Sequence, residues 1–360
     1  MSYFGASSSR DKNKNALWLI LIALCIVLYL LLFPRALGKD SFLVPVKAVS
    51  MTSLPPESTT AYDKLFLVGQ NTVALTKDGV PVFFRPARTL EAVSGVNDAW
   101  YDETSDQTEV SSASGPLFHL PGKQYPYWLG QRFYTFSNDR LGLTEYDLKG
   151  NRLWSKDRTS IITAVAAGPT LRVVGSLDGR ITVYDKTGAM RGSFNPGGSQ
   201  YPVIYNTAIS PDEKHILLLS GMSPKRFLVL ERGTNEFHPV FHQELSDQKP
   251  YPTPLGFLGG DRWAYFVSQQ DLHLLNLKTD HEAVMPLQGQ LKSLIYNTPL
   301  GLITSVTGGG SASILHVWST SGRPLLFSPF QAQHVLLFQE GNRVILVADQ
   351  TVLIMKRELQ

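Results

Sequence analysis

The chain has 360 residues, enough for two domains of average size or for one large all-β domain. Hydrophobic residues make up 43% of the sequence, which excludes disorder for the bulk of the chain. Its 33 Lys and Arg residues nearly balance its 30 Asp and Glu residues, so the formal net charge is only +3. Beyond the first fifteen residues there is no basic stripe of the kind that nucleic-acid-binding proteins carry. We therefore expect no nucleic-acid partner.

The N-terminal region divides into a polar tail and an apolar segment. Residues 1–15 are polar and small, which is typical of a disordered tail. Residues 16–33 carry no charge, and as a helix they would reach roughly 27 Å, enough for a bilayer core. This run exceeds the 7–15 apolar residues usual in a secretory signal. The pattern predicts one membrane-spanning helix, with a signal peptide cleaved near residues 36–38 as the alternative.

Charge around the apolar segment indicates its orientation. Three Lys or Arg residues precede it and two follow it, which favours a cytoplasmic N-terminus under the positive-inside rule. Cys25 is the single cysteine and lies within the segment, so the remainder of the chain contains none. We therefore expect a single-pass protein of the bacterial inner membrane, with a cytoplasmic tail at residues 1–15 and its bulk in the periplasm.

The sequence pattern of the remaining residues predicts β-strands. Residues 34–62 are rich in proline, serine and threonine and predict a linker, within which Phe42–Val49 alternates like a strand. Over residues 63–360, apolar runs of four to six residues, rich in β-branched and aromatic side chains, alternate with turn signals. No long stretch has a helical period. This pattern predicts an all-β domain.

A repeat runs through this region: an apolar residue and a polar residue precede a turn that often contains glycine. The pairs are Leu75-Thr76, Tyr146-Asp147, Tyr184-Asp185, Leu230-Glu231, Leu275-Asn276, Trp318-Ser319 and Met355-Lys356. The last five intervals average close to 42 residues, the period of a propeller blade of four strands. Seven repeats predict seven blades. The last one leaves no room for an outer strand, so we expect Phe42–Val49 to supply it.

Two of the repeats resemble known blade types. The segment YDLKGNRLW, residues 146–154, resembles the repeat of pyrroloquinoline-quinone-like propellers, and YDKTG at residues 184–188 is similar. The segment ISPDEKHI, residues 209–216, resembles an inner turn of WD40-like blades. The resemblance covers residues 63–360 and implies a β-propeller. It carries no functional residues and no quinone cofactor, because quinone enzymes resemble larger chains with a vicinal cysteine pair or a metal site.

The first interval, 71 residues, is longer than the others. Its excess lies in residues 98–128, which are first polar and then aromatic. This segment is either an insertion in the second blade or a degenerate eighth blade. We favour the insertion, and hence seven blades with eight as the alternative.

No motif for catalysis, cofactor binding or metal binding is evident. A nucleophile elbow, a phosphate-binding loop and a dinucleotide fingerprint are all missing from the sequence. His238 and His242 lie four residues apart, but Pro239 separates them and no third ligand is evident. The sequence therefore identifies no enzyme, and we assign no catalytic, cofactor or metal residues.

The segment 98–128 is dense in large aromatic residues, which are enriched at interface anchors. They are Trp100, Tyr101, Phe118, Tyr125, Tyr127 and Trp128. One interpretation is a partner-binding loop formed by these six residues. The other is that they cover the side of the propeller or fill a blade.

Two functions from different classes follow. The first is a membrane-anchored periplasmic scaffold for protein–protein interactions in cell-envelope assembly, similar in role to periplasmic propellers that assist outer-membrane assembly. Its partners would be other membrane or envelope proteins, and the bilayer itself through residues 16–33. The alternative is a propeller enzyme of the hydrolase or lactonase type, or a ligand-binding sensor. This alternative requires acidic or histidine residues that converge at the mouth of the central channel.

Overall fold

A computed structural model describes Trp18, Ile22 and residues 41–58, 60–233, 236–246, 251–298 and 301–359. Residues 45–356 form one compact unit. A second unit comprises residues 1–44 and 357–360, of which Trp18 and Ile22 are helical and the described residues of 41–44 and 357–359 are extended.

The described residues form 31 strands in eight antiparallel sheets, and each sheet is one blade. The first strand along the chain is β1 (Ser41–Ser50). Blade 1 contains β2 (Lys64–Val68), β3 (Asn71–Leu75) and β4 (Pro81–Pro86). Blade 2 contains β5 (Ala92–Ser94), β6 (Asn97–Asp102), β7 (Gln107–Ser112) and β8 (Gly115–Pro121). Blade 3 contains β9 (Tyr125–Leu129), β10 (Arg132–Phe136), β11 (Gly142–Tyr146) and β12 (Arg152–Asp157).

The remaining blades follow the same plan. Blade 4 contains β13 (Ile162–Ala167), β14 (Leu171–Ser176), β15 (Ile181–Asp185) and β16 (Met190–Phe194). Blade 5 contains β17 (Tyr201–Ile209), β18 (His215–Met222), β19 (Lys225–Arg232) and β20 (Phe237–Leu245). Blade 6 contains β21 (Leu255–Leu258), β22 (Trp263–Ser268), β23 (Asp271–Asn276) and β24 (Glu282–Pro286). Blade 7 contains β25 (Gln290–Asn297), β26 (Leu302–Gly309), β27 (Ala312–Ser319) and β28 (Pro324–Gln331). Blade 8 contains β29 (Val335–Glu340), β30 (Arg343–Ala348) and β31 (Thr351–Leu359).

Blade 8 takes its outer strand from the start of the chain. Its strand order is β1-β31-β30-β29, so β1 occupies the position that the sequence analysis gives to Phe42–Val49. The backbone N–H of Met51, just after β1, donates to the carbonyl of Gln350 at 2.8 Å. The Met51 side chain is fully buried in a core cluster that includes Val352 and Ile354.

The prediction of seven blades is wrong, because the described residues form eight. Residues 98–128 are not an insertion: they supply β6, β7 and β8 of blade 2 and then β9 of blade 3. Five of the seven predicted turns, those of blades 3 to 7, begin where the third strand ends. Leu75 ends the second strand of blade 1, and Met355 lies within β31. In blade 2 the third strand ends in Ser111 and Ser112. Because no apolar residue stands beside the polar one, the repeat pattern misses this blade.

The structure gives no support to the predicted membrane-spanning helix. In the part of the chain that the structure describes, no helix is long and apolar enough to span a bilayer. Of residues 16–33, on which this prediction falls, only Trp18 and Ile22 are among the described residues. The cytoplasmic tail predicted over residues 1–15 lies outside the described residues altogether.

Aromatic side chains of one blade pack on the turn glycines of the next. Gly188, between β15 and β16, has φ +77°, and a Cβ placed there would lie 2.8 Å from Cγ of Trp154 on β12. Gly150, with φ +83°, stands in the same relation to Phe118 on β8. Only glycine combines this positive φ with such close approach. The predicted turn glycines therefore serve packing between blades as well as the turns themselves.

The core lies between adjacent sheets. The rings of Phe227 in blade 5 and Phe266 in blade 6 stack with centroids 4.0 Å apart. Blades 8 and 1 meet in the same way, through Phe338 and Phe66 with centroids 4.8 Å apart. Side chains that interdigitate between sheets hold successive blades against one another. Packing between blades 8 and 1 closes the ring.

The turns lie on two opposite faces because the strands alternate in direction. We call one face the upper face: it carries the turns between second and third strands and the segments that lead into each first strand. The lower face carries the turns after the first strand and those between third and fourth strands. The upper face holds the candidate site described next.

Candidate functional site

The structure divides the six predicted aromatic residues into three groups. Phe118 and Trp128 belong to the core between blades 2 and 3. Trp128 is 7% exposed, and its ring centroid lies 4.9 Å from that of Phe133, while Phe118 meets the same ring at 5.7 Å. These two residues fill the junction between two blades, as the second interpretation of the segment expects.

Trp100 and Tyr101 lie on β6 and are half-buried. The guanidinium of Arg88 lies 3.9 Å from the ring centroid of Trp100, a cation–π contact. The Tyr101 hydroxyl forms a 2.7 Å hydrogen bond with Oδ1 of Asp106, which raises the pKa of this phenol. The Lys123 ammonium lies 5.7 Å from the Tyr101 ring. We call these five residues the blade-2 patch.

A buried network of charged side chains lies next to the blade-2 patch. Arg85 on β4 forms two hydrogen bonds with Glu91, at 2.6 and 3.0 Å, and Asp98 lies 3.4 Å from the same guanidinium. Burial opposes the charge on Glu91, but the hydrogen bonds from Arg85 and from the backbone N–H of Arg88 hold its pKa below the ordinary value. The pKa of Asp98 is raised, chiefly by burial. The network fixes the segment that carries Arg88 between blades 1 and 2.

Tyr125 and Tyr127 open the first strand of blade 3 and line a cavity of about 440 Å³ on the upper face. We call it the channel-mouth cavity. It is bounded by first strands of three consecutive blades and by neighbouring turns: Leu90, Tyr125, Pro126, Tyr127, Phe136, Arg140, Ile162, Thr163, Ala164, Val165, Tyr205, Asn206 and Pro252. Tyr127 is 37% exposed. Of the six predicted residues, the structure thus brings two into a cavity.

Some polar groups of this cavity are bonded to the protein itself. The Asn206 side chain donates to the carbonyl of Thr253 at 3.1 Å and accepts from the N–H of Thr207 at 2.9 Å. The hydroxyl of Tyr125 forms a 2.6 Å hydrogen bond with Oδ1 of Asn138. These groups shape the wall and leave little capacity for a ligand.

Two other groups have no hydrogen-bond partner among the described residues: the Tyr127 hydroxyl and the Arg140 guanidinium. Arg140 lies in the turn between β10 and β11, is exposed, and has φ +57°. Behind the wall, the Lys225 ammonium is 5.2 Å from the ring centroid of Tyr205 and donates to the carbonyl of Tyr251 at 3.0 Å. The cavity itself therefore presents aromatic faces and the positive charge of Arg140.

Acidic groups do not converge at this mouth. The lining residues that the structure describes contain no carboxylate and no imidazole. Across the described residues there is also no group of three or more His, Cys, Asp or Glu side chains able to hold a metal. His238 and His242 lie exposed on the outer strand of blade 5, where Arg226 donates to His242 at 2.7 Å. These observations lend no support to the hydrolase alternative.

A larger cavity, of about 600 Å³, lies on the lower face at the turns of blades 4 and 5. Two of its charged groups are paired with each other, since Arg191 and Asp185 form two hydrogen bonds at 2.6 and 2.9 Å. Asp185 also accepts the N–H groups of Thr187 and Ala189, which with the Thr187 hydroxyl hold its pKa far below the ordinary value. This cavity follows from turn geometry.

Sequence reasoning missed Phe136, Arg140, Tyr205 and Asn206. The dipeptide Tyr-Pro occurs at residues 125, 201 and 251, where it opens β9, opens β17 and precedes β21. All three copies stand on the upper face. As a repeat, it points to blades 3 and 5 beside the cavity, but not to blade 4 and not to any of the four missed residues.

Comparisons with known proteins agree on the architecture. A family model described as beta-propeller protein matches residues 9–358. An uncharacterized protein of Treponema pallidum (strain Nichols) is 23% identical over 357 residues, covering 95% of this chain and 94% of that protein.

Solved structures give the same result. The crystal structure of BamB from Moraxella catarrhalis aligns with 88% of this chain and all of its own, with TM-score 0.58 and 14% identity. The computationally designed Ika8 protein aligns with 85% of this chain and 99% of its own, with TM-score 0.59 and 16% identity. At these identities the likeness establishes the fold alone.

Proposed function

The chain belongs to the family of β-propeller proteins, and we propose that it acts as a protein-interaction scaffold in the assembly of a bacterial cell envelope. The observation that carries this proposal is the channel-mouth cavity on the upper face. Its aromatic lining and unpaired cation are the features of a recognition surface, and its described residues offer no acid–base pair for catalysis.

The architecture suits such a role. A ring of eight sheets is rigid because each blade is hydrogen-bonded internally and packed on two neighbours. Loops positioned by a rigid scaffold are common binding elements. The upper face offers the channel-mouth cavity, and blade 2 adds the blade-2 patch with two more of the predicted aromatic anchors, Trp100 and Tyr101.

The cell-envelope part of the proposal has separate support. The fold is similar to that of BamB, and the role proposed here is similar to that of periplasmic propellers that assist outer-membrane assembly. We therefore propose that the propeller works in the periplasm. A reporter active only in the periplasm, fused after Gln360, tests this. Activity of the fusion supports the location, and activity of a cytoplasmic reporter at the same position contradicts it.

Site-specific photo-crosslinking in cells tests the scaffold role. A photoreactive phenylalanine analogue is placed at Tyr127 in the cavity, at Trp100 in the blade-2 patch, and at Leu153 as a control. Leu153 is exposed on the outer strand of blade 3, away from both sites. We expect discrete crosslinked partners at one or both sites and none at Leu153. The absence of any crosslinked protein at both sites contradicts the proposal.

A further inference from the structure

We propose that the channel-mouth cavity binds an extended segment of a partner protein that sets an acidic side chain against Arg140 and apolar residues against Tyr127 and Tyr205. This inference rests on the proposed scaffold function and specifies the partner chemistry.

The shape is that of a ligand site. Its volume of about 440 Å³ falls within the range of clefts that bind ligands, and its walls come from rigid first strands. Four aromatic rings line it: Tyr125, Tyr127, Phe136 and Tyr205. Tyr127 and Phe136 pack with centroids 5.4 Å apart, which orients the Tyr127 ring. A cavity of this kind favours apolar side chains that insert between rings.

The free charged group of the cavity is a hydrogen-bond donor, the guanidinium of Arg140. The Arg140 guanidinium carries five N–H groups, and no carboxylate among the described residues pairs with it. The nearby Asp139 turns back into its own turn, accepting from the Ser137 hydroxyl at 2.6 Å and the Leu141 N–H at 2.9 Å. A ligand carboxylate forms a bidentate pair with such a guanidinium and neutralises it.

The backbone that carries the Arg140 side chain is held in place. The N–H of Arg140 donates to the carbonyl of Ser137 at 2.9 Å, and the carbonyl of Arg140 accepts from the N–H of Ile162 at 2.9 Å. These two bonds fix the backbone of Arg140, which has a left-handed conformation with φ +57°, between blades 3 and 4. A backbone fixed before binding reduces the entropy lost when a ligand is bound.

The combination favours a peptide over a sugar. The free charged group here is a guanidinium, which pairs most strongly with a carboxylate, and a neutral sugar has none. Pro126 and Pro252 line the rim and have no backbone N–H, so strand addition at the rim is not favoured. Recognition must then proceed through side chains. An extended segment with Asp or Glu beside aromatic, aliphatic or proline residues meets these conditions.

Display selection with the purified protein, residues 1–360, tests this inference. A random twelve-residue peptide library is selected at low salt, and the enriched peptides are synthesised and measured by fluorescence anisotropy. We expect an excess of Asp or Glu next to apolar residues. We also expect affinity to fall as salt rises, because the contact with Arg140 is partly exposed.

Variants assign the effect to the cavity. Arg140→Asn removes the charge but suits the left-handed backbone, and we expect it to weaken binding at least tenfold. Arg140→Asp should reverse the preference, so that its own selection enriches basic peptides. Tyr127→Ala should weaken binding as well. Arg152→Asn, on the exposed outer strand of blade 3, is the matched control and should bind as the parent does.

The inference is overturned if nothing is enriched, if the enriched peptides show no acidic excess, or if Arg140→Asn binds them as tightly as Arg152→Asn does. Circular dichroism and thermal unfolding of each variant separate loss of binding from loss of fold. In cells, partners crosslinked at Trp100 but not at Tyr127 would leave the scaffold proposal standing and refute this cavity as its site.

Discussion

Two junctions between blades are built on opposite principles. Between blades 3 and 4, Arg172 and Glu145 form a bidentate ion pair with both bonds at 2.8 Å, and neither side chain is more than 1% exposed. Between blades 8 and 1, the ion pair of Lys64 and Glu340 is more than a quarter exposed on each side. The ion pair is therefore part of the buried core at the junction of blades 3 and 4, and lies at the solvent-exposed edge of the junction of blades 8 and 1.

Each junction completes its contacts differently. Glu145 also accepts hydrogen bonds from the indole N–H of Trp154 at 2.9 Å and from Arg132 at 3.2 Å. One carboxylate therefore serves as the acceptor for three side chains. The closing junction instead relies on stacked Phe66 and Phe338 with buried aliphatic residues around them. The junction of blades 3 and 4 tolerates a buried charge because that charge has a complete set of partners, whereas the closing junction relies on apolar burial.

The largest effect is expected at the buried pair. Glu145→Ala leaves Arg172 charged and buried without its partner, which costs about 3–5 kcal/mol of unfolding free energy. Urea unfolding followed by tryptophan fluorescence measures the loss. The double variant Glu145→Leu with Arg172→Met removes both charges and should recover much of it. If the single and double variants are equally unstable, the loss comes from packing and the comparison fails.

The second effect tests apolar closure. Met51 is fully buried at the closing blade, so Met51→Ala creates a cavity and should cost about 2–5 kcal/mol. The same urea titration applies, and Met190→Ala is the control because Met190 is 66% exposed. A loss below that of the control would show that burial at this blade does not maintain closure.

The third effect concerns the aromatic side chain that packs on the next turn. Gly188→Ala places a Cβ against Trp154 at a residue with positive φ, which should cost more than the roughly 1–3 kcal/mol of backbone strain alone. Gly197 has φ +60° but open space around it, so Gly197→Ala measures the strain without the clash. Equal losses in the two variants would rule out the steric contribution.

The fourth effect is a pH dependence at the junction of blades 4 and 5. Burial opposes the charge on Glu213, but hydrogen bonds from the Thr170 hydroxyl and from the N–H groups of Thr170 and Leu171 hold its pKa below the ordinary 4.5. A lowered pKa contributes stability that is present above the unfolded value and is lost as pH falls through the folded value.

Glu213→Gln removes that contribution, so its stability should change less between pH 5 and pH 3 than that of the parent. Thermal unfolding at several pH values measures the difference. Glu57, exposed in its ion pair with Arg88, supplies the control variant Glu57→Gln. If parent and Glu213→Gln lose stability in parallel over this range, Glu213 does not contribute to the acid sensitivity.

The smallest effect is expected at the exposed pair of the closing junction. Lys64→Ala removes an ion pair that water and salt screen, and it should cost less than about 1 kcal/mol. Its ammonium also lies 4.8 Å from the Phe338 ring, so part of that loss is a cation–π contact that survives in high salt. Unfolding at low and high salt separates the two contributions. A loss comparable to that of Glu145→Ala would abolish the contrast between the junctions.

The fold was largely predictable because a blade is a local pattern. Strands alternate over a few residues, and the pair before each turn, such as Tyr184-Asp185, lies next to the residues it bonds. The repeat pattern missed blade 2 because its third strand ends in Ser111 and Ser112, where the other repeats have an apolar residue before the polar one. The number of blades therefore depends on which strands pair with one another, and a pattern along the sequence does not show this.

The site was less predictable for a geometric reason. Tyr127 and Trp128 are adjacent on one strand, so their side chains point to opposite sides, and only the position of neighbouring blades decides which side is core. Tyr205 lies far along the chain and reaches the same cavity through the curvature of the ring. The aromatic density of the segment was visible in the sequence, but its division between core and cavity was not.

The hydrogen bond between Met51 and Gln350 has a consequence for biosynthesis. It joins residues about 300 positions apart, so a ribosome must deliver nearly the whole chain before blade 8 gains its outer strand. Before β1 pairs with it, β31 has an open strand edge. Because this contact joins residues so far apart in sequence, we expect the pairing of β1 with β31 to be a late step of folding.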